Sequence, residues 1–157
     1  MNTNPDSEER LEAEVMNTFQ ALGYETVNAY HETFGKNGTL GRDNRGELVL
    51  TRYLRQALER LNPNLPAIAY TNAIDSITQN RSLKSSLESA NEEVYHLLRD
   101  GVTVPFPDPK TGSETKQTLR VIGWNPEDMG ANHFLAVQQL WGESELYTRR
   151  PDIILFV

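Results

Sequence analysis

The sequence predicts an α+β fold, with helices in its first half and strands in its second. Three observations carry that reading. Apolar residues recur at helical spacing through residues 7–22, 47–61 and 82–99. From Val102 onward the pattern changes to short strand-like runs broken by proline, glycine and asparagine. The last five residues, Ile153-Ile154-Leu155-Phe156-Val157, are apolar at every position. Helices first and strands later imply helices packed on a mixed or antiparallel sheet.

In the first helix, expected over residues 7–22, Ser7 is a fitting N-cap, although Arg10 stands where a capping box would place Glu. Glu8 and Glu9 suit the positive end of the helix dipole. Leu11, Val15, Phe19 and Leu22 define its expected buried face, and Gly23 its stop. Residues 24–46, with Gly35, Gly38, Gly41 and Gly46 among polar residues, read as a loop. A second helix over 47–61 presents Leu50, Leu54, Ala57, Leu58 and Leu61, and Asn62-Pro63-Asn64 ends it. Residues 65–75 fit either a short strand or a linker. A third helix fits 82–99, on Leu83, Leu87, Val94, Leu97 and Leu98, and Asp100-Gly101 closes it.

Residues 102–106 form a short strand, 107–113 a turn region and 118–123 an alternating strand with Leu119 and Val121 on one face. Residues 125–128 are a loop and 132–140 a strand. Residues 141–150 connect it to a final strand over 152–157. An unbroken apolar run is covered on both faces and is expected at the centre of a sheet. As an open edge it would invite aggregation. The expectation is therefore that the sheet, and the chain, continue past Val157. No repeat or low-complexity tract occurs.

The chain has 157 residues, enough for one domain, and 1–157 is read as a single domain incomplete at its C-terminal end. No apolar run approaches the ~20 residues that span a membrane. Residues 1–7 lack the basic and apolar regions of a secretory signal. With no cysteine, disulfides and thiolate zinc sites are excluded, and the cytoplasm is the expected location. Lys and Arg number 15 against 22 Asp and Glu, a net charge of -7. That argues against a surface that wraps DNA unaided, because phosphate binding needs clustered positive charge. A locally acidic metal site is compatible with it.

Asp152 is the first candidate for chemistry. Arg149-Arg150-Pro151-Asp152 leads straight into the apolar strand. A carboxylate at the mouth of a rigid strand is held in a fixed direction, as a ligand to a hard divalent cation should be. Pro-Asp is equally an ordinary turn pair. Glu12, beside Leu11, is a second candidate ligand, with Glu8, Glu9 and Glu14 competing for the role and a solvated helix face as the plain alternative. Gln138 and Gln139, in an otherwise apolar strand, either face water or support a polar site. Arg149 and Arg150 are candidate phosphate contacts or simple surface charges. His31, His96 and His133 have no metal-ligand spacing, and no phosphate-binding GxxxxGK[ST] loop is present.

The Pro151-Asp152 strand resembles the opening half of a PD-(D/E)xK nuclease site, truncated within the catalytic hairpin. No Glu-x-Lys follows Asp152 in these 157 residues. More widely, the chain resembles the N-terminal region of the restriction (motor and nuclease) subunit of type I restriction-modification enzymes. Four stretches carry the likeness: residues 7–24, from Ser7-Glu8-Glu9 to Gly23-Tyr24; residues 38–63, from Gly38-Thr39-Leu40-Gly41-Arg42 to Leu61-Asn62-Pro63; residues 132–140; and residues 149–157. The last two are the most specific.

The resemblance implies Asp152 as the first metal-binding acid and Glu12 as the acid of the opening helix. It also implies Mg2+ at the completed site, and ATP for translocation by downstream helicase domains. Double-stranded DNA and the methylation and specificity subunits are the implied partners. The piece alone is expected to be inactive. Two alternatives remain: a non-catalytic docking module or gene remnant of the same fold, and an ATP-independent nuclease of another defence system.

Overall fold

A computed structural model describes residues 5–144 and 146–157, without the side chains of residues 5 and 6. The reading of residues 1–4 and of Glu145 lies outside that range. The fold is α+β, with helices and a mixed sheet. It comprises two compact units: the chain up to Leu50 together with His133–Val157, and Thr51–Asn132.

The first unit is built on a three-stranded sheet in the order β1 (Glu25–Asn28), β4 (Leu135–Gln138), β7 (Ile153–Phe156). β1 runs parallel to β4, with Glu25 beside Leu135 and Asn28 beside Gln138. β7 runs antiparallel to β4, with Ile153 beside Gln138 and Phe156 beside Leu135. β4 is the central strand, and Leu135, Ala136 and Val137 are buried at successive positions, as a strand covered on both faces requires. β7, expected at the centre, is the edge strand of this sheet, and its Leu155 is 45% exposed. β1 lies inside the stretch read as a loop. Its four residues, Glu-Thr-Val-Asn, are too few to display an alternation.

α1 (Pro5–Ala21) packs on β1 and β4. Its inward side is Glu12, Val15, Met16 and Phe19, whereas Leu11 and Leu22, expected to be buried, are 62% and 70% exposed. An edge-to-face contact of Phe19 with Tyr24 at 5.2 Å, and a tilted contact of Tyr24 with Phe134 at 5.5 Å, pin its C-terminal end. Gly23, at φ +93°, ends the helix as the sequence suggested.

The glycine-rich stretch after β1 is ordered by Arg42, which is buried. Its guanidinium donates to both carboxylate oxygens of Glu32, at 2.7 and 2.6 Å, and to the carbonyls of Arg45, Glu47 and Trp141. With its carbonyl so held, and its carboxylate taking the Asp43 N–H at 3.0 Å, Glu47 stays in the loop. The second helix, expected from residue 47, accordingly begins at Thr51. A short hairpin of β5 (Gly142–Glu143) and β6 (Thr148–Arg149) completes this unit.

The second unit holds α2 (Thr51–Leu61), α3 (Ala67–Thr78), α4 (Leu87–Asp100) and the hairpin β2 (Val102–Pro107)–β3 (Glu114–Leu119). α3 replaces the expected strand or linker. Ala69, Tyr70, Ala73, Ile74 and Ile77 are buried at helical spacing after Pro66, and they pack on β2 with Val102, Val104 and Phe106. α4 starts at Leu87 rather than 82, because Ser86 is the N-cap and accepts the Ser89 N–H at 3.1 Å. Gly101, at φ +94°, turns the chain from α4 directly into β2. A Cβ there would lie 2.6 Å from the Leu119 carbonyl oxygen. β3 is shifted from 118–123 to the polar stretch that pairs with β2, so the expected alternation covered its end and the coil beyond.

Candidate functional site

Three strand ends and one helix meet at a cleft of about 850 Å³ in the first unit. β1 ends there on Asn28, β4 on Gln138 with Gln139 just beyond it, and β7 begins there after Asp152. This convergence follows from topology: β1 and β4 are parallel and end on the same side, and antiparallel β7 starts where they end. α1 lies alongside and contributes Glu8, Glu9 and Glu12.

The ends are stitched together by backbone hydrogen bonds. The Ala29 N–H donates to the Gln138 carbonyl at 2.8 Å, and the Gln139 N–H to the Asp152 carbonyl at 2.8 Å. Gln139 adopts φ +59°, a left-handed conformation that a side-chain-bearing residue pays about 1–3 kcal/mol to hold. Its side-chain amide donates to Glu12, with Nε2 3.0 Å from each carboxylate oxygen. One residue thus touches both candidate acids, one through its side chain and the other through its backbone.

The predicted site residues separate clearly. Asp152 and Glu12 line the same cleft, although they come from opposite ends of the sequence. Asp152 is exposed, and Glu12 is half-buried. Arg150 also lines the cleft. Its guanidinium lies 4.9 Å from the Trp141 ring centre and 5.3 Å from that of Tyr30, so two aromatic faces hold it. Arg149 sits on β6 over Tyr147, at 5.3 Å, and does not line the cleft. Of the two glutamines left open between water and a polar site, both line the cleft.

Asn28 and Tyr30 escaped sequence reasoning because the strand that ends on Asn28, just before Tyr30, was hidden in an assumed loop. Trp141, set against Arg150 on one side and Arg45 at 4.9 Å, gave no motif signal. The histidines meet other side chains: His133 pairs with Glu25 at 2.7 Å, His96 approaches Asp100 at 3.1 Å, and His31 meets the Tyr30 ring edge-on at 4.7 Å.

A second Pro-Asp, Pro107-Asp108, precedes Glu114-Thr115-Lys116 and mimics the nuclease string within one hairpin. The Asp108 carboxylate is spent on its own turn, accepting from the N–H groups of Lys110 at 2.7 Å and Thr111 at 3.4 Å. Glu114 and Lys116 are exposed on β3. The string is a turn with a polar strand.

All the anionic donors of the cleft are carboxylate oxygens, the ligand type of hard cations such as Mg2+. Among the described residues no cluster of three or more His, Cys, Asp or Glu forms a preassembled metal cage. One or two carboxylates with retained waters are sufficient for Mg2+. The orientation of Glu12 by an amide is the kind of support that ligating carboxylates receive. The residues present therefore fit such an ion through Asp152 and Glu12.

Comparison with known proteins gives the family of the chain. The family described as the type I restriction enzyme R protein N terminus matches residues 5–157. The chain is 32% identical, over 96% of its length, to the type I restriction enzyme HindI endonuclease subunit of Haemophilus influenzae. It spans 14% of the length of that relative. No solved structure matches it.

Proposed function

The chain belongs to the type I restriction enzyme R protein N-terminus family, and from that premise we propose that it is the nuclease-type region of a DNA-cutting restriction subunit. A single observation carries the reading. Glu12 and Asp152, far apart in sequence, reach one cleft and are joined there through Gln139.

In this reading Asp152 and Glu12 hold Mg2+. When bound, the ion supplies a Lewis acid that activates water and offsets the charge developing at a phosphodiester. The chain's own residues do the positioning. Asp152 immediately precedes β7, and its backbone is held by the Gln139 N–H at the end of β4. Arg150, stiffened between Trp141 and Tyr30, faces the cleft and contacts a DNA phosphate. Arg149 contacts the backbone further out. In the PD-(D/E)xK pattern a Glu-x-Lys strand after Asp152 supplies the second acid and the lysine, and these 157 residues contain no such strand beside β7. The chain by itself is therefore proposed to be inactive.

The relative is by its name an endonuclease subunit. By analogy the whole protein is proposed to cut double-stranded DNA after ATP-driven translocation, in complex with methylation and specificity subunits in the cytoplasm. Among the described residues no helix is long and apolar enough to cross a membrane.

Calorimetric titration with Mg2+ or Mn2+ tests the site. The chain is compared with a form extended by about 20–30 residues, roughly a turn and a strand. The expected result is binding by the extended form that Asp152→Ala abolishes. Binding that is indifferent to Asp152, or no binding at either length, removes the metal-site reading.

A further inference from the structure

We propose that Gln139 is the positioning residue of this cleft: it fixes the Glu12 carboxylate relative to Asp152 so that both acids address one cation. The inference rests on the metal-site reading above and adds a residue to it.

Three independent features meet at Gln139. Its backbone holds φ +59°, a conformation that glycine would adopt freely and glutamine does not favour. A purely structural turn at the end of β4 would be better served by glycine, so the side chain must contribute something to offset that conformation. It reaches α1 and places Nε2 at 3.0 Å from both oxygens of Glu12. Meanwhile its N–H holds the Asp152 carbonyl at 2.8 Å, fixing the backbone from which the second acid projects. The left-handed turn is what allows one residue to do both. Its neighbour Gln138 continues the β4 ladder opposite Ile153 and Asn28, whereas Gln139 leaves the strand geometry at the point where the side chain must cross to α1. An amide donates to a carboxylate without bringing a charge that competes with a metal ion. A lysine or arginine in its place would neutralise the ligand.

The test uses whichever chain length binds Mn2+ in the calorimetry above. Gln139→Gly keeps the N–H to Asp152 and removes both the side chain and the strained conformation. Its melting temperature is expected to equal or exceed the parent's, while its Mn2+ affinity falls about tenfold or more, the usual cost of losing a residue that orients a ligand.

A Gln139→Gly variant that binds Mn2+ as tightly as the parent overturns the proposal. A second readout needs no metal: Glu12→Ala is expected to move the side-chain amide resonances of Gln139 to those of a free glutamine. If they do not move, the tie between the two residues is absent and the proposal fails even where Asp152-dependent metal binding holds. If the tie is seen but no chain length binds Mn2+, the metal-site reading fails, and the positioning role falls with it.

Discussion

Arg42 shows how one side chain can order a loop that looks formless in sequence. Residues 29–50 carry glycines and polar residues, and nothing in their spacing marks Arg42 above the other arginines. In the fold it is buried against Glu32, whose side chain is 4% exposed, and it serves three carbonyls besides. Removing one partner of such a pair strands a buried charge, which costs about 3–5 kcal/mol. Arg42→Met is therefore expected to lower unfolding free energy in urea by roughly that amount, whereas Asp152→Ala, on an exposed residue, should change it by about 0.5 kcal/mol or less. That contrast separates the scaffold from the proposed metal site. Asp152 and Glu12 were visible as candidates, because an acid at the mouth of an apolar strand and an acid beside a helix's apolar side can be picked out in one dimension, and both line the cleft. The partner that unites them was legible only as a polar anomaly, since Gln139 acquires its meaning from a backbone angle and a contact with the opposite end of the chain.

At the scale of elements, sequence periodicity located α1, α2, α4, β2, β4 and β7 with shifted ends. It missed β1, which is short, and α3, whose helical signal emerges only when Ala69, Tyr70, Ala73, Ile74 and Ile77 are read together with Pro66. β7 was placed at the sheet centre on its apolar content, but β4 holds that position, and content alone does not distinguish them.

The end of α4 carries a pH dependence. Asp100 sits at the negative end of the helix dipole, an unfavourable place for an acid. Arg99 grips both its carboxylate oxygens at 2.6 Å, and His96 approaches one at 3.1 Å. Arg99 foremost, then His96, hold the carboxyl down from 3.8 to about 2. A folded value below the unfolded one means that the pair's contribution is present above 3.8 and is lost as pH falls through about 2. Asp100 is therefore expected to titrate near 2 by NMR. The stability difference between the parent and Asp100→Asn should shrink as pH falls through that acid window. A carboxyl that titrates near 3.8 would contradict the pairing.

Across the whole molecule, the net charge of -7 and the cleft's own acids, Glu8, Glu9, Glu12 and Asp152 against Arg150, fit a site that attracts a cation. They do not fit a surface that binds duplex DNA unaided. The charge balance was readable at once from composition. The gathering of those acids at one end of a sheet was not, because it depends on a parallel β1–β4 pair and an antiparallel β7 whose relation no local pattern encodes. The central claim is that this cleft is where a divalent cation binds. The most direct measurement is the loss of amide signals in a 1H–15N spectrum of the extended form as substoichiometric Mn2+ is added, since broadening reports where the ion sits. Broadening centred on Glu12, Gln139 and Asp152, and abolished by Asp152→Ala, is the predicted result. Broadening centred on the exposed acids of α4, such as Glu92 and Asp100, or unchanged by Asp152→Ala, would contradict it.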